Sequence, residues 1–197
     1  SELMSLSQPV ITHGLRGLAY FEVEARTAAR DLHSGSYGGN VQNPIMALAQ
    51  LLAGLKDDKG RVLVPGFYDE VRVLDAAERA DIARLPWKEA HVISETGAPA
   101  AFGEPEFSVA ERRGARLTLE VNGIWGGYIG PGAKTVLPAV ATAKISCRLV
   151  PNQDPQKVYD LVRNELLRRC PAHTNLTFRT FGMSAGTLID LDSPQIR

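Results

Sequence analysis

Four histidines, His13, His33, His91 and His173, are the side chains best suited to metal binding or proton transfer near neutral pH. No two of them stand at the three- to five-residue spacing that sets two imidazoles on one ion, so no local zinc site is expected. The paired acids Asp57–Asp58 and Asp190/Asp192 fall in turn-like contexts without a nearby histidine and read as solvated loop carboxylates. No Gly-x-Ser-x-Gly elbow occurs, and neither Cys147 nor Cys170 has an activating neighbour in sequence. The stretch Gly127 to Thr135 approaches a phosphate-binding loop but fails twice. Ala133 stands where glycine should precede Lys134, and Pro138 blocks the helix that should follow.

Three features are explained poorly by packing alone. His33 lies in Asp31-Leu32-His33-Ser34-Gly35-Ser36-Tyr37-Gly38-Gly39-Asn40, a run too rich in glycine for helix and therefore expected as a loop. Most loop histidines are only solvated, yet these glycines let the backbone hold the ring away from a sheet. The segment Asn122-Gly123-Ile124-Trp125-Gly126-Gly127-Tyr128, continuing through Gly130 to Thr135, reads as a long hairpin connection or as a ligand-facing loop offering amides and the Asn122 side chain. Arg148 projects from the polar side of a strand. Exposed arginines usually solvate, but a guanidinium on a rigid strand is well suited to grip a carboxylate through two parallel hydrogen bonds.

The elements that must position them follow from periodicity. Residues 17–26 alternate, with Ala19, Phe21, Val23 and Ala25 on one side and Tyr20, Glu22, Glu24 and Arg26 on the other, which is a strand with one wet face. Asn43-Pro44 caps a helix with Ile45, Leu48, Leu51, Leu52 and Leu55 on its core stripe, expected to end at Lys56–Asp57. From about 57 to 116 the pattern is irregular, with a single helix expected from an Asp75–Glu78 capping box. Leu117–Val121 and Ala141–Leu149 are strands, Asp154-Pro155 opens a second helix, and Leu176 with Phe178 mark a last strand. The order strand, helix, strand, strand, helix, strand predicts an α+β fold. It is the ferredoxin-like split βαβ sandwich: a four-stranded antiparallel sheet with two helices on one face, plus a partly helical insertion. Its uncovered edges invite pairing across a two-fold axis, so a homodimer is expected.

Composition narrows the partners. Lys plus Arg and Asp plus Glu both number 22, which leaves no field to concentrate nucleic acid or an anionic membrane surface. No apolar run approaches the roughly 20 residues of a membrane span, and no signal peptide is visible. Only two cysteines are present, Cys147 in a strand pattern and Cys170 at the end of a helix pattern, so no disulfide framework is expected and a reducing, cytoplasmic location is read.

Gly14-Leu15-Arg16-Gly17, Arg30-Asp31-Leu32-His33-Ser34-Gly35 with Gly38-Gly39, Asn43-Pro44, Pro65-Gly66-Phe67-Tyr68, Asn122 to Gly127, Gly132 to Pro138 and Arg148 to Gln153 occur in order from about Pro9 to the last strand. Jointly they resemble the lid, or dimerisation, domain of the carnosinase, succinyl-diaminopimelate desuccinylase and aminoacylase family of di-zinc metallopeptidases. The resemblance implies a separate catalytic domain carrying two zinc ions. The family's His-x-Asp and Glu-Glu metal motifs are absent from this chain, so no cofactor is expected within it, Glu2 is given no metal role, and the chain alone is expected to be inactive. It implies that residues 9–189 are the lid, with an insertion at about 57–116, and that 1–8 and 190–197 are connections to the catalytic domain. His33 would cross to the partner subunit's active site as an oxyanion donor, with Thr135 a second contributor from the same lid. Arg148 would clamp the substrate carboxylate, and Asn122 would make a further substrate contact. Which subunit Arg148 serves is left open. The insertion resembles the dipeptidase branch, which acts on short peptides; peptide or N-acyl amino acid substrates are implied for the whole protein. The competing expectation is a stand-alone ferredoxin-like regulatory module that binds a small carboxylate through Arg148.

Overall fold

The computed structural model describes residues 12–189, so the expected connections at 1–8 and 190–197 lie outside the described residues. In chain order the elements are β1 (Gly14–Leu15), β2 (Gly17–Arg26), β3 (Leu32–His33), α1 (Ser34–Tyr37), α2 (Pro44–Ala53), α3 (Ala76–Ala83), α4 (Glu89–Thr96) and α5 (Val109–Gly114). They continue with β4 (Thr118–Gly126), β5 (Val136–Leu137), β6 (Val140–Leu149), α6 (Pro155–Arg169), β7 (Asn175–Ser184) and β8 (Thr187–Leu188). The four long strands form one sheet in the order β4-β6-β2-β7, each neighbour antiparallel. This is the expected α+β arrangement, with β2 and β6 in the centre and α2 and α6 as the two crossing helices.

Alternation decides which side is covered. Ala19, Phe21, Val23 and Ala25 of β2 stand opposite Cys147, Ile145, Ala143 and Ala141 of β6, and all eight are buried. Leu48, Leu51 and Leu55 from the first helix region and Val158, Val162 and Leu166 from α6 close over them in one core. Each fully buried aliphatic side chain there contributes about 1.5–3 kcal/mol. Both helices start as read: the Asn43 carboxamide accepts the amides of Ile45 and Met46, and the Asp154 carboxylate accepts that of Gln156, with proline following each cap.

Four local expectations are corrected. The run after Asp31 is not loop throughout: Ser34–Tyr37 make one helical turn, because His33 supplies an N-cap and Gly38 continues to the Ser34 carbonyl. Helix α2 stops at Ala53 rather than Lys56, which instead bridges to Val62 across a tight return. The insertion holds three helices rather than one; α5 has a Ser108–Glu111 capping box as complete as that of Asp75–Glu78. Finally, β4 does not end at Val121. Asn122 is accommodated as a bulge, and Gly123 to Gly126 resume pairing with Lys144 to Ala141.

Arg116 holds the insertion together. Its guanidinium makes two 2.7 Å hydrogen bonds to Glu104 and lies 4.0 Å from the Phe107 ring centroid, with both charged residues buried. At the opposite extreme of size, β1 and β8 form a two-residue ribbon that pairs Gly14 with Leu188. Gly17, where this ribbon meets the sheet, admits no side chain: a Cβ would lie 2.5 Å from the Ser184 carbonyl oxygen and 2.6 Å from the Gly186 nitrogen.

Candidate functional site

The second small ribbon sits at the other end of the sheet. Leu32 and His33 pair with Leu137 and Val136, and three further bonds lock the ribbon in place. The Asp31 carboxylate accepts the Ala139 amide at 2.9 Å, Thr27 donates its amide to Ala139 at 3.0 Å, and Ser34 donates its amide to the Thr135 carbonyl at 3.0 Å. The backbone around His33 is thus fixed from both strands although the residue itself is exposed.

The ring is fixed as well. As N-cap of α1, His33 accepts the Gly35 amide on Nδ1 at 3.0 Å. A nitrogen that accepts from a backbone N–H carries no proton, so the neutral ring holds its hydrogen on Nε2. That nitrogen lies 3.3 Å from Thr135 Oγ1. An imidazole N–H and a hydroxyl therefore stand side by side at the surface, both able to donate to an oxygen that gains negative charge. Gly35 is part of the device: a Cβ on it would lie 2.7 Å from His33 Cε1 and 3.0 Å from Nδ1.

Arg148 does not belong to this cluster. It pairs with Leu18 and Thr118 near the far end of β6, eight residues beyond Val140, which separates it from the histidine ribbon by about 26 Å of strand. Arg148 lies instead at the end where β1 and β8 lead the chain in and out. Its surroundings are cationic. Arg16 has its guanidinium pKa lowered first by burial, then by Arg148 and by Arg113 of α5, and Arg113 is stacked 3.7 Å above the Trp87 ring. Asn122 is exposed on the edge strand at its bulge, between the two ends.

Of the four residues singled out in the sequence, the structure brings together His33 and Thr135 and leaves Arg148 and Asn122 apart. Sequence reasoning missed the parts played by Asp31, Arg16 and Arg113. Asp31 and Arg16 lie inside motifs already quoted, yet nothing in the local pattern ties Arg16 to Arg148 or to Arg113. Among the described residues, no three His, Cys, Asp or Glu side chains converge as a metal-ligand group, and no helix is long and apolar enough to cross a membrane.

Comparison with known proteins gives consistent results. A family model described as the M20 peptidase dimerisation domain matches residues 13–174. A Cys-Gly metallodipeptidase of Schizosaccharomyces pombe is 32% identical over 165 residues, covering 84% of this chain and 35% of that protein. The human Beta-Ala-His dipeptidase is 35% identical over 163 residues, covering 83% of this chain and 32% of that protein. A crystal structure of an M20 family metallo-carboxypeptidase from Sulfolobus solfataricus superposes with a TM-score of 0.84 at 33% identity, covering 99% of this chain and 51% of that one. The chain thus spans about a third of the length of the curated relatives it matches. These matches do not favour the stand-alone regulatory module.

Proposed function

The chain belongs to the M20 peptidase dimerisation domain family, whose relatives here are metallodipeptidases, and from that premise we propose that it is the lid of a homodimeric dipeptidase and serves two active sites at once. The observation that carries this reading is the separation of the His33–Thr135 pair from Arg148 by about 26 Å, with both chain connections at the Arg148 end. Arg148 faces the catalytic domain of its own chain, where it grips the substrate carboxylate in a two-bonded fork. His33 and Thr135 point away from those connections and reach the partner subunit's site. There Nε2–H and the Thr135 hydroxyl donate to the oxygen of the scissile carbonyl as it becomes an oxyanion. Asn122, on the exposed edge between the two ends, is a further substrate contact.

The substrates are dipeptides or N-acyl amino acids. The metals are two zinc ions held by residues beyond this chain; when bound they supply an activated water, while this chain binds and orients the substrate and stabilises charge. The lid comprises residues 9–189, and 1–8 and 190–197 are its connections. Dimerisation uses edge strand β4 and the adjoining α2, supported by the half-exposed apolar side chains Val121, Ile124, Trp125 and Met46. A cytoplasmic location accords with Cys147 and Cys170, neither in a disulfide.

The division between subunits is tested by complementation in the full-length enzyme. His33→Ala and Arg148→Gln homodimers are each expected to lose most activity. Subunits mixed equally form hybrids in half of the dimers, each with one site that has both groups intact, so about one quarter of wild-type activity returns. No recovery on mixing would reject the two-site reading.

A further inference from the structure

The Arg148 end carries more positive charge than one substrate carboxylate needs. Arg16 precedes β2 by one residue and is the diagonal neighbour of Arg148, since Leu18 is Arg148's direct partner across the sheet. Arg113, at the end of α5, belongs to the segment that leads into Thr118, the other direct partner of Arg148. Its guanidinium carbon lies over the Trp87 ring, 3.7 Å from the ring centre, a cation–π contact that does not use up its N–H donors. No carboxylate among the described residues pairs with any of the three. Acids of the insertion and of β4 are engaged elsewhere: Glu89 with Arg112 at 3.5 Å, Glu104 with Arg116 and Glu111 with Arg79, both at 2.7 Å, and Glu120, two residues along β4 from Thr118, with Lys56 at 3.0 Å. The mutual repulsion is felt within the cluster, as Arg16 is depressed by burial first and then by both other arginines.

One bound carboxylate offsets one of three charges and leaves the other two facing each other. On the reading that Arg148 holds the substrate's terminal carboxylate, we infer that Arg16 and Arg113 select substrates with a second one, namely dipeptides ending in glutamate or aspartate. Arg148 takes the α-carboxylate. Arg113, held against the Trp87 indole, takes the side-chain carboxylate, and the half-buried Arg16 is a positioning residue that keeps the cluster cationic.

The test compares Ala-Glu with Ala-Gln, which differ in charge and hardly in shape, in the full-length enzyme. The kcat/KM ratio is expected to favour Ala-Glu by about tenfold or more, the worth of one added charge-assisted hydrogen bond. In Arg113→Gln and Arg16→Gln the ratio should fall toward one, chiefly through KM for Ala-Glu, and Arg113→Lys should restore part of it. A ratio near one in the unaltered enzyme, or one unchanged in both glutamine variants, would overturn the inference. If neither dipeptide is cleaved, the dipeptidase reading fails on its own, and calorimetry decides the selectivity: N-acetylglutamate should bind the full-length protein about tenfold more tightly than N-acetylglutamine, and equal affinity overturns it.

Discussion

Gly35→Ala in the full-length enzyme isolates what the histidine turn does. A methyl on Gly35 would sit 2.7 Å from His33 Cε1 and 3.0 Å from Nδ1, whereas carbon atoms rest comfortably at about 3.5–4.0 Å. The imidazole must therefore retreat by about 1 Å, and its Nε2 moves off the 3.3 Å contact with Thr135. A displacement of that size at a group that stabilises a transition state costs about 100-fold in turnover. The backbone bears no matching penalty, since alanine is favoured over glycine in a helical turn by about 1 kcal/mol. Steady-state kinetics on a dipeptide should show kcat falling by about 100-fold with KM little changed, because Arg148 lies about 26 Å away. The melting temperature should hold or rise. His33→Ala should cost about 100- to 1,000-fold, and adding Gly35→Ala to it should cost nothing more. Turnover within twofold of wild type for Gly35→Ala, or losses that multiply in the double variant, would refute the argument.

Two further outcomes concern stability. Arg116→Met leaves Glu104 buried and opposed only by Arg61 at 3.8 Å, so urea unfolding should show a loss of about 3–5 kcal/mol, and an unchanged midpoint would contradict the role given to this pair. Burial pushes the Cys147 thiol up to about 12 from an ordinary 9.0, so the unfolded chain gives up this proton first. The resulting stabilisation is complete below pH 9 and is lost as pH rises toward 12, by about 1.4 kcal/mol per pH unit. Cys147→Ala should flatten that decline in unfolding experiments between pH 8 and 11; parallel curves for the two proteins would disprove it.

The sheet and its two helices were legible because their signals are local and repeated. Alternation in Ala19 to Ala25 and Ala141 to Cys147, and the Asn43-Pro44 and Asp154-Pro155 caps, leave little choice of element or face. The Ser108–Glu111 capping box is equally legible, since a serine followed three residues later by glutamate opens a helix. The extension of β4 past Asn122 was not legible, since a bulge depends on what the neighbouring strand offers rather than on the bulged residue. The site divides in the same way. His33 and Gly35 stand two positions apart and share one motif, but their contact with Thr135 spans 102 positions and needs the folded ribbon. That Arg16 feels the charges of both Arg148 and Arg113 is likewise a product of the tertiary fold, invisible to spacing.

The ribbon joining Gly14 to Leu188 also has a mechanical meaning. On the proposed reading of 1–8 and 190–197 as connections, the attached domain grips this one at a narrow neck, while His33 rides at the tip of a lever whose arm is the length of β2, about 33 Å. A swing of 10°, of the kind hinged domains make on microsecond to millisecond timescales, would carry the imidazole about 6 Å, enough to engage or release a bound molecule. Small rotations at the neck thus become large strokes at the histidine, and stiffening those few residues should slow the stroke without touching either cluster.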